Sequence, residues 1–181
     1  MTRAGIILAS VLATMGVGYP GFSSMPIKLI WNASASAPIG LYTIDLDEPF
    51  EIGDLVAVKA SEPLASFLAD RGYLPRGAPL MKRIVAVTGQ IVCRSKLTIS
   101  VDGAEAGRAL ERDRAGRGLP VWQGCRRIAT GEVFLMNRQV RDSLDGRYFG
   151  LTSTSQIIGR ATPLWTDEHA NGRFEWRAPT R

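Results

Sequence analysis

Residues 4–22, AGIILASVLATMGVGYPGF, form an uncharged and mostly apolar run about long enough to cross a bilayer as a helix. Beyond residue 40 the pattern changes. Short apolar runs of strand length alternate with turn residues. They fall at 40–44 (GLYTI), 54–58 (DLVAV, after a turn at Gly53), 84–87 (IVAV), 91–93 (IVC), 97–101 (LTISV), 132–136 (EVFLM) and 156–159 (QIIG). Asp102-Gly103 after the 97–101 run is a hairpin signal. One helix is predicted over 61–70, with Ser61 as N-cap and Gly72 as the stop. Residues 103–118 are rich in Arg, Glu, Gly and Asp and read as a mobile, solvated surface loop. The pattern therefore predicts a mainly β chain in two parts. Residues 1–24 are a membrane anchor, and residues 25–181 are a β-rich domain with a small inserted unit at about 92–130.

The anchor reading has Arg3 before the run, Lys28 after it, and Tyr19, Phe22 and Trp31 at the outer interface. A cleaved signal peptide is the first alternative, with Ala-Ser-Ala at 33–35 and 35–37 as small-residue sites. A buried helix of a soluble domain is the second. The first two readings place everything after residue 25 outside the cytoplasm. Cys93 and Cys125 are then compatible with a disulfide, or with two small buried thiols.

The length of 181 residues suits one domain, and an apolar content of 45% supports a packed core. The net charge of +5 comes with 18 Arg and 4 Lys, and the basic residues are scattered rather than aligned for nucleic acid. With two Cys and one His, no zinc ligand cluster is present in the sequence. A histidine-dependent protease would have to use His169, which sits in a polar C-terminal stretch. A serine nucleophile would then need another base. Lysine serves only when burial keeps it neutral, and arginine does not serve at all. Of Lys28, Lys59, Lys82 and Lys96, only Lys82 has an apolar setting, between Leu80-Met81 and the 84–87 run. Strand alternation sends Lys82 inward and Arg83 outward. The serine stretch at 33–37 reads as a linker or, with Pro38 and Gly40 following, as a fixed turn leading into a strand.

The arrangement Asn32-x-Ser34-x-Ser36-x-Pro38-x-Gly40-Leu41-Tyr42 resembles the nucleophile motif of the TraF branch of type I signal peptidases. Four further segments agree in order. Residues 51–56 (EIGDLV) resemble the Gly-Asp-x-Val strand, and residues 71–75 (RGYLP) with 80–89 (LMKRIVAVTG) resemble the lysine motif. Residues 142–150 (DSLDGRYFG) resemble the Ser-x-Asp-Ser-Arg-Tyr-Phe-Gly box, and residues 157–165 (IIGRATPLW) resemble the closing strand.

The resemblance implies a signal-peptidase-like β catalytic domain of the LexA-like superfamily, with an inserted β subdomain and an N-terminal transmembrane helix. It implies Ser36 as nucleophile and Lys82 as general base. Ser34 would help bind the oxyanion, and Ser143 and Asp145 would support the lysine by hydrogen bonding or orientation. No cofactor or metal is implied. The expected partners are a pilin or other precursor protein and the lipid bilayer, with no nucleic acid. The expected location is the bacterial inner membrane, single-pass, with the catalytic domain in the periplasm. Small side chains beside the scissile bond are expected, and either water or a substrate amine would resolve the acyl-enzyme. Two departures stand out: Gly146 where the box has serine, and Met136-Asn137-Arg138 without the Gly-Asp of common signal peptidases. A general signal peptidase, a related Ser/Lys protease of the LexA-like group, against which the anchor argues, and a non-catalytic tethered scaffold are the competing readings.

Overall fold

A computed structural model describes residues 3–22 (side chains for 3–14), 29–46 and 49–179. The uncharged run forms a helix, α1 (Arg3–Phe22), with Ile6, Ile7, Leu8 and Leu12 exposed. Among the described residues, no helix is long and apolar enough to cross a membrane. Lys28 and the side chains of Tyr19 and Phe22 lie outside the described residues.

The main sheet has the order β1-β2-β11-β3-β4-β9-β10, with β12 added to β11. Its strands are β1 (Leu29–Asn32), β2 (Ile39–Asp45), β3 (Leu55–Val58), β4 (Leu80–Ala86), β9 (Glu132–Leu135), β10 (Thr152–Ser153), β11 (Ile157–Asp167) and β12 (Glu175–Trp176). All strand pairs are antiparallel. β2 alternates buried Gly40, Tyr42 and Ile44 with less buried neighbours, as one covered face requires. β3 is apolar and buried throughout, as a central strand covered on both faces should be. Gly40 allows the close approach of β2 to β11. Its φ is +147°, and a Cβ there would sit 2.2 Å from the Trp165 carbonyl oxygen.

The one predicted helix appears as α2 (Glu62–Asp70). Ser61 has N-cap backbone geometry but makes no side-chain cap, and Gly72 ends the segment at φ +70°.

Residues 91–127 hold a second sheet, order β7-β6-β5-β8. Its strands are β5 (Ile91–Ser95), β6 (Thr98–Val101), β7 (Ala104–Arg108) and β8 (Gly124–Arg127). Cys93 and Cys125 face each other on β5 and β8 and are disulfide-bonded. The two sheets share one core, in which Val92, Ile99 and Ile128 pack with Val85, Phe134 and Met136.

Two sequence expectations are corrected. Residues 104–108 are an edge strand on β6 rather than part of a loop, because the Asp102-Gly103 turn returns the chain along its neighbour. Downstream, Asp113 is held by the Tyr73 hydroxyl and by Arg117 Nε at 2.7 Å, so the 103–118 stretch is tied to the segment after α2.

Candidate active site

The serine stretch is a built turn between β1 and β2, not a linker. Asn32, buried at the end of β1, organises it. Its Nδ2 donates to the carbonyls of Ser34 (2.9 Å), Ala37 (3.0 Å) and Pro38 (3.0 Å). Its Oδ1 accepts the Ser34 N–H at 3.1 Å and the Ser34 hydroxyl at 2.9 Å. Tyr42 donates its phenol to the Pro38 carbonyl at 2.7 Å, and burial pushes that phenol well above its usual pKa. The Asn-x-Ser-x-Ser-x-Pro-x-Gly-Leu-Tyr pattern is thus a hydrogen-bonded unit in which each polar residue has a local partner.

Within this turn Ser34 Oγ and Ser36 Oγ are 3.0 Å apart. With the Ser34 hydrogen on Asn32 Oδ1, the Ser36 hydroxyl is the donor in that pair.

Lys82 lies on β4 opposite Val56 and is 3% exposed, while Arg83 beside it is half-buried and donates to the Gly53 carbonyl at 2.9 Å. Lys82 Nζ donates to Ser143 Oγ at 2.8 Å. Burial lowers the Lys82 pKa from 10.5 to about 8; the Asp145 charge opposes the shift and the Arg147 charge adds to it.

Asp145 does not pair with Lys82. It caps α3 (Gly146–Phe149) by accepting the Arg147 N–H at 3.1 Å, and it holds the Arg147 guanidinium at 2.9 and 2.8 Å. Arg147 also donates to the carbonyls of Val140 (2.8 Å), Arg141 (3.0 Å) and Ser143 (3.0 Å), which shapes the loop carrying Ser143. With Asp145 neutralised in this way, no carboxylate lies within ion-pair distance of Lys82 among the described residues. A buried amine without a counter-ion is the arrangement that favours the neutral form.

Asn137, 4% exposed, joins the pieces. Its Nδ2 donates to the Ser36 carbonyl and, at 3.0 Å, to the Met81 carbonyl; its Oδ1 accepts the Arg83 N–H at 2.9 Å. Its own N–H donates to Asp145 Oδ2 at 3.1 Å. One amide therefore fastens the serine turn to both peptide units flanking Lys82. The sequence reading assigned no role to Asn32, Asn137 or Arg147, although all three lie in or beside the motifs.

Ser34, Ser36, Lys82 and Ser143 line a single cleft of about 490 Å³, walled by α2, the 71–74 segment and the 113–119 segment. Lys82 and Asp145 also line a neighbouring cavity of about 360 Å³ beneath α2. Among the described residues there is no Ser36–Lys82 hydrogen bond; each is engaged by another serine, Ser34 and Ser143 respectively. His169 is not among the residues lining this cleft; it is about half exposed and 3.7 Å from Glu175. No group of acidic, His or Cys residues suited to a metal occurs among the described residues.

Gly146, the departure from the box, has a local cause. A Cβ at this position would lie 2.6 Å from Phe134 Cε2 and 2.7 Å from the Leu135 carbonyl oxygen, so the Phe134 ring occupies the space.

A family model for signal peptidase, peptidase S26, matches residues 3–165. A plasmid transfer protein TraF from Escherichia coli is 29% identical over 172 residues, covering 90% of each chain. A probable conjugal transfer protein TraF from Sinorhizobium fredii is 31% identical over 180 residues, covering 91% of this chain and 92% of that protein. A solved signal peptidase I from Enterococcus faecalis V583 aligns at 18% identity with a TM-score of 0.36, over 64% of this chain and 98% of that one. On the extent of the family match and the order of its motifs, the chain belongs to the peptidase S26 signal-peptidase family and is similar to its TraF conjugal transfer members.

Proposed function

We propose that the chain is a membrane-tethered serine endopeptidase that uses Ser36 and Lys82 to process a pilin or another exported precursor in conjugative transfer. The observation that carries this reading is Lys82: a buried amine, lowered to about 8, without a carboxylate partner among the described residues, lining the cleft that also holds Ser36. In this reaction the Ser36 hydroxyl leaves Ser34 for neutral Lys82, which lines the same cleft. Lys82 takes the proton as Ser36 Oγ attacks the scissile carbonyl. The Ser36 N–H and a reoriented Ser34 hydroxyl face the developing oxyanion. The ammonium returns its proton to the leaving amine, which departs and leaves an acyl-enzyme. Water then attacks the acyl-enzyme and releases a cleaved product with free Ser36, or a substrate amine attacks it, forming a new peptide bond as the Ser36 ester breaks. Ser143 keeps Lys82 oriented, and Arg147 keeps the Asp145 charge away from it.

Tethering by residues 1–24 is supported by the uncharged run and by an exposed aromatic group. Trp31, Trp165 and Phe174 pack with ring centroids 4.7 to 6.4 Å apart, and Trp176 lies opposite Trp165 on β12. Such amphipathic rings suit a membrane interface. The periplasmic side of a bacterial inner membrane is the location consistent with this reading and with the Cys93–Cys125 disulfide.

The test is the intact mass of the cognate pilin precursor co-expressed with wild type or with Ser36→Ala. The expected result is a trimmed product with wild type and whole precursor with the variant. A product lighter by one further water would indicate cyclisation. Equal trimming by both chains would refute Ser36 as nucleophile, and no trimming by either would favour a tethered scaffold.

A further inference from the structure

The loop of residues 137–145 is a partition. On one side Val140, Asp142 and Ser143 line the Ser36/Lys82 cleft. On the other, Arg138 and Arg141 line a separate groove of about 750 Å³, together with Arg108 and Arg112 from the inserted unit. All four arginines are exposed, and none makes an ion pair among the described residues. This distinguishes them from their neighbours Arg114 and Arg117, which are paired with Asp142 at 2.5 Å and Asp113 at 2.7 Å. Glu111 is the acidic residue among those lining the groove, and Arg147 in its wall is neutralised by Asp145. Arg108 and Arg112 from the inserted unit and Arg138 and Arg141 from the loop thus line one concave surface with little compensating charge, the Arg112 guanidinium also donating to the Gly116 carbonyl at 2.7 Å. Guanidinium forks recognise carboxylates in bidentate geometry, and a concave wall of one sign focuses the field.

We propose that this groove docks an acidic segment of the polypeptide substrate, one loop's width from the scissile bond. The proposal rests on the peptidase reading for the identity of its ligand. The shared wall favours a polypeptide: residues of the 137–145 loop line both the cleft and the groove, so a ligand spanning the loop would be long and chain-like. The strand order argues against a lipid headgroup. The exposed aromatic residues lie on β1, β11 and β12, toward one end of the main sheet, whereas the groove adjoins β9, next to the other end.

The test uses the full Ser36→Ala chain in detergent, so that binding is read without turnover. A fluorescein-labelled oligoglutamate peptide is titrated against this chain, against the same chain carrying R138E and R141E, and against one carrying the remote change R173E. Thermal melts of all three establish that these surface changes leave the fold intact. The expected result is saturable binding that weakens with added salt, falls at least about tenfold in the R138E/R141E chain, and is unchanged by R173E. Equal binding by all three chains, or no binding, would overturn the proposal. So would loss of binding to phosphatidylglycerol vesicles, but not to the peptide, in the R138E/R141E chain; that outcome would assign the groove to lipid. Because no arm depends on cleavage, a failure of the Ser36 assignment and a failure of the groove give different results.

Discussion

Lys82 stands between two cavities yet is almost wholly buried, and its ammonium loses more by leaving water than it regains from Asp145. Two consequences belong to this one residue. Its neutral fraction grows as pH rises through about 8. Under the proposed mechanism, kcat/KM should climb about tenfold per pH unit below that value and level off above it. A pH–rate profile on a purified precursor checks this; a flat profile from pH 6 to 9 would sink the role of Lys82 as base. Stability changes in the adjoining pH window. Between about 8 and 10.5 the unfolded chain holds a proton that the folded chain does not. The contribution of Lys82 to stability therefore falls as pH drops through that window and is constant below it. Lys82→Met should accordingly be more stable than wild type at neutral pH, with the gap closing as pH rises from about 8 to 10.5, as urea midpoints across pH would report.

At the scale of elements, the β9–α3 junction is set by a contact between Gly146 and Phe134. Restoring the serine of the family box, Gly146→Ser, drives a Cβ into the Phe134 ring and the Leu135 carbonyl. It should cost about 1–3 kcal/mol in urea unfolding, with partial recovery when Phe134→Leu is added. The junction also shows which parts of the fold could be read from sequence. β2, β3, β4, β5, β6, β9 and the start of β11 carry apolar runs or alternation, and each was legible for that reason. β7 (AEAGR) and β8 (GCRR) have no buried residue and no apolar period. Their strand state comes from pairing with β6 and β5, information held in partners rather than in the segment. The site divides the same way. Ser36, Lys82, Ser143 and Asp145 were legible through the motifs that contain them. The tie from Asn137 to Ser36 crosses 101 residues and leaves no local signal. The Asp145–Arg147 pair is local in sequence, but its effect on Lys82 depends on which cation Asp145 faces in three dimensions.

At the scale of the molecule, the inserted sheet is attached to the peptidase core by shared apolar packing and closed on itself by one covalent link spanning 32 residues. Replacing both Cys93 and Cys125 with Ala should lower stability by about 3–4 kcal/mol on the chain-entropy estimate. Hydrogen exchange should show the loss first in β5 and β8 and last in β2 and β3. Uniform loss across both sheets would instead mean that the two unfold as one unit. Asn137 has a consequence in time as well as in space. A chain made from its N-terminus releases Ser36 first, and the amide that holds Ser36 against the Lys82 strand follows 101 residues later. At about 5–20 residues per second, roughly 5–20 s separate the two events. During that interval the nascent enzyme holds its serine without the assembled site. Under the proposed mechanism, its own small-residue stretch at 33–37 and any neighbouring polypeptide would be spared until synthesis of the 137–145 loop is finished.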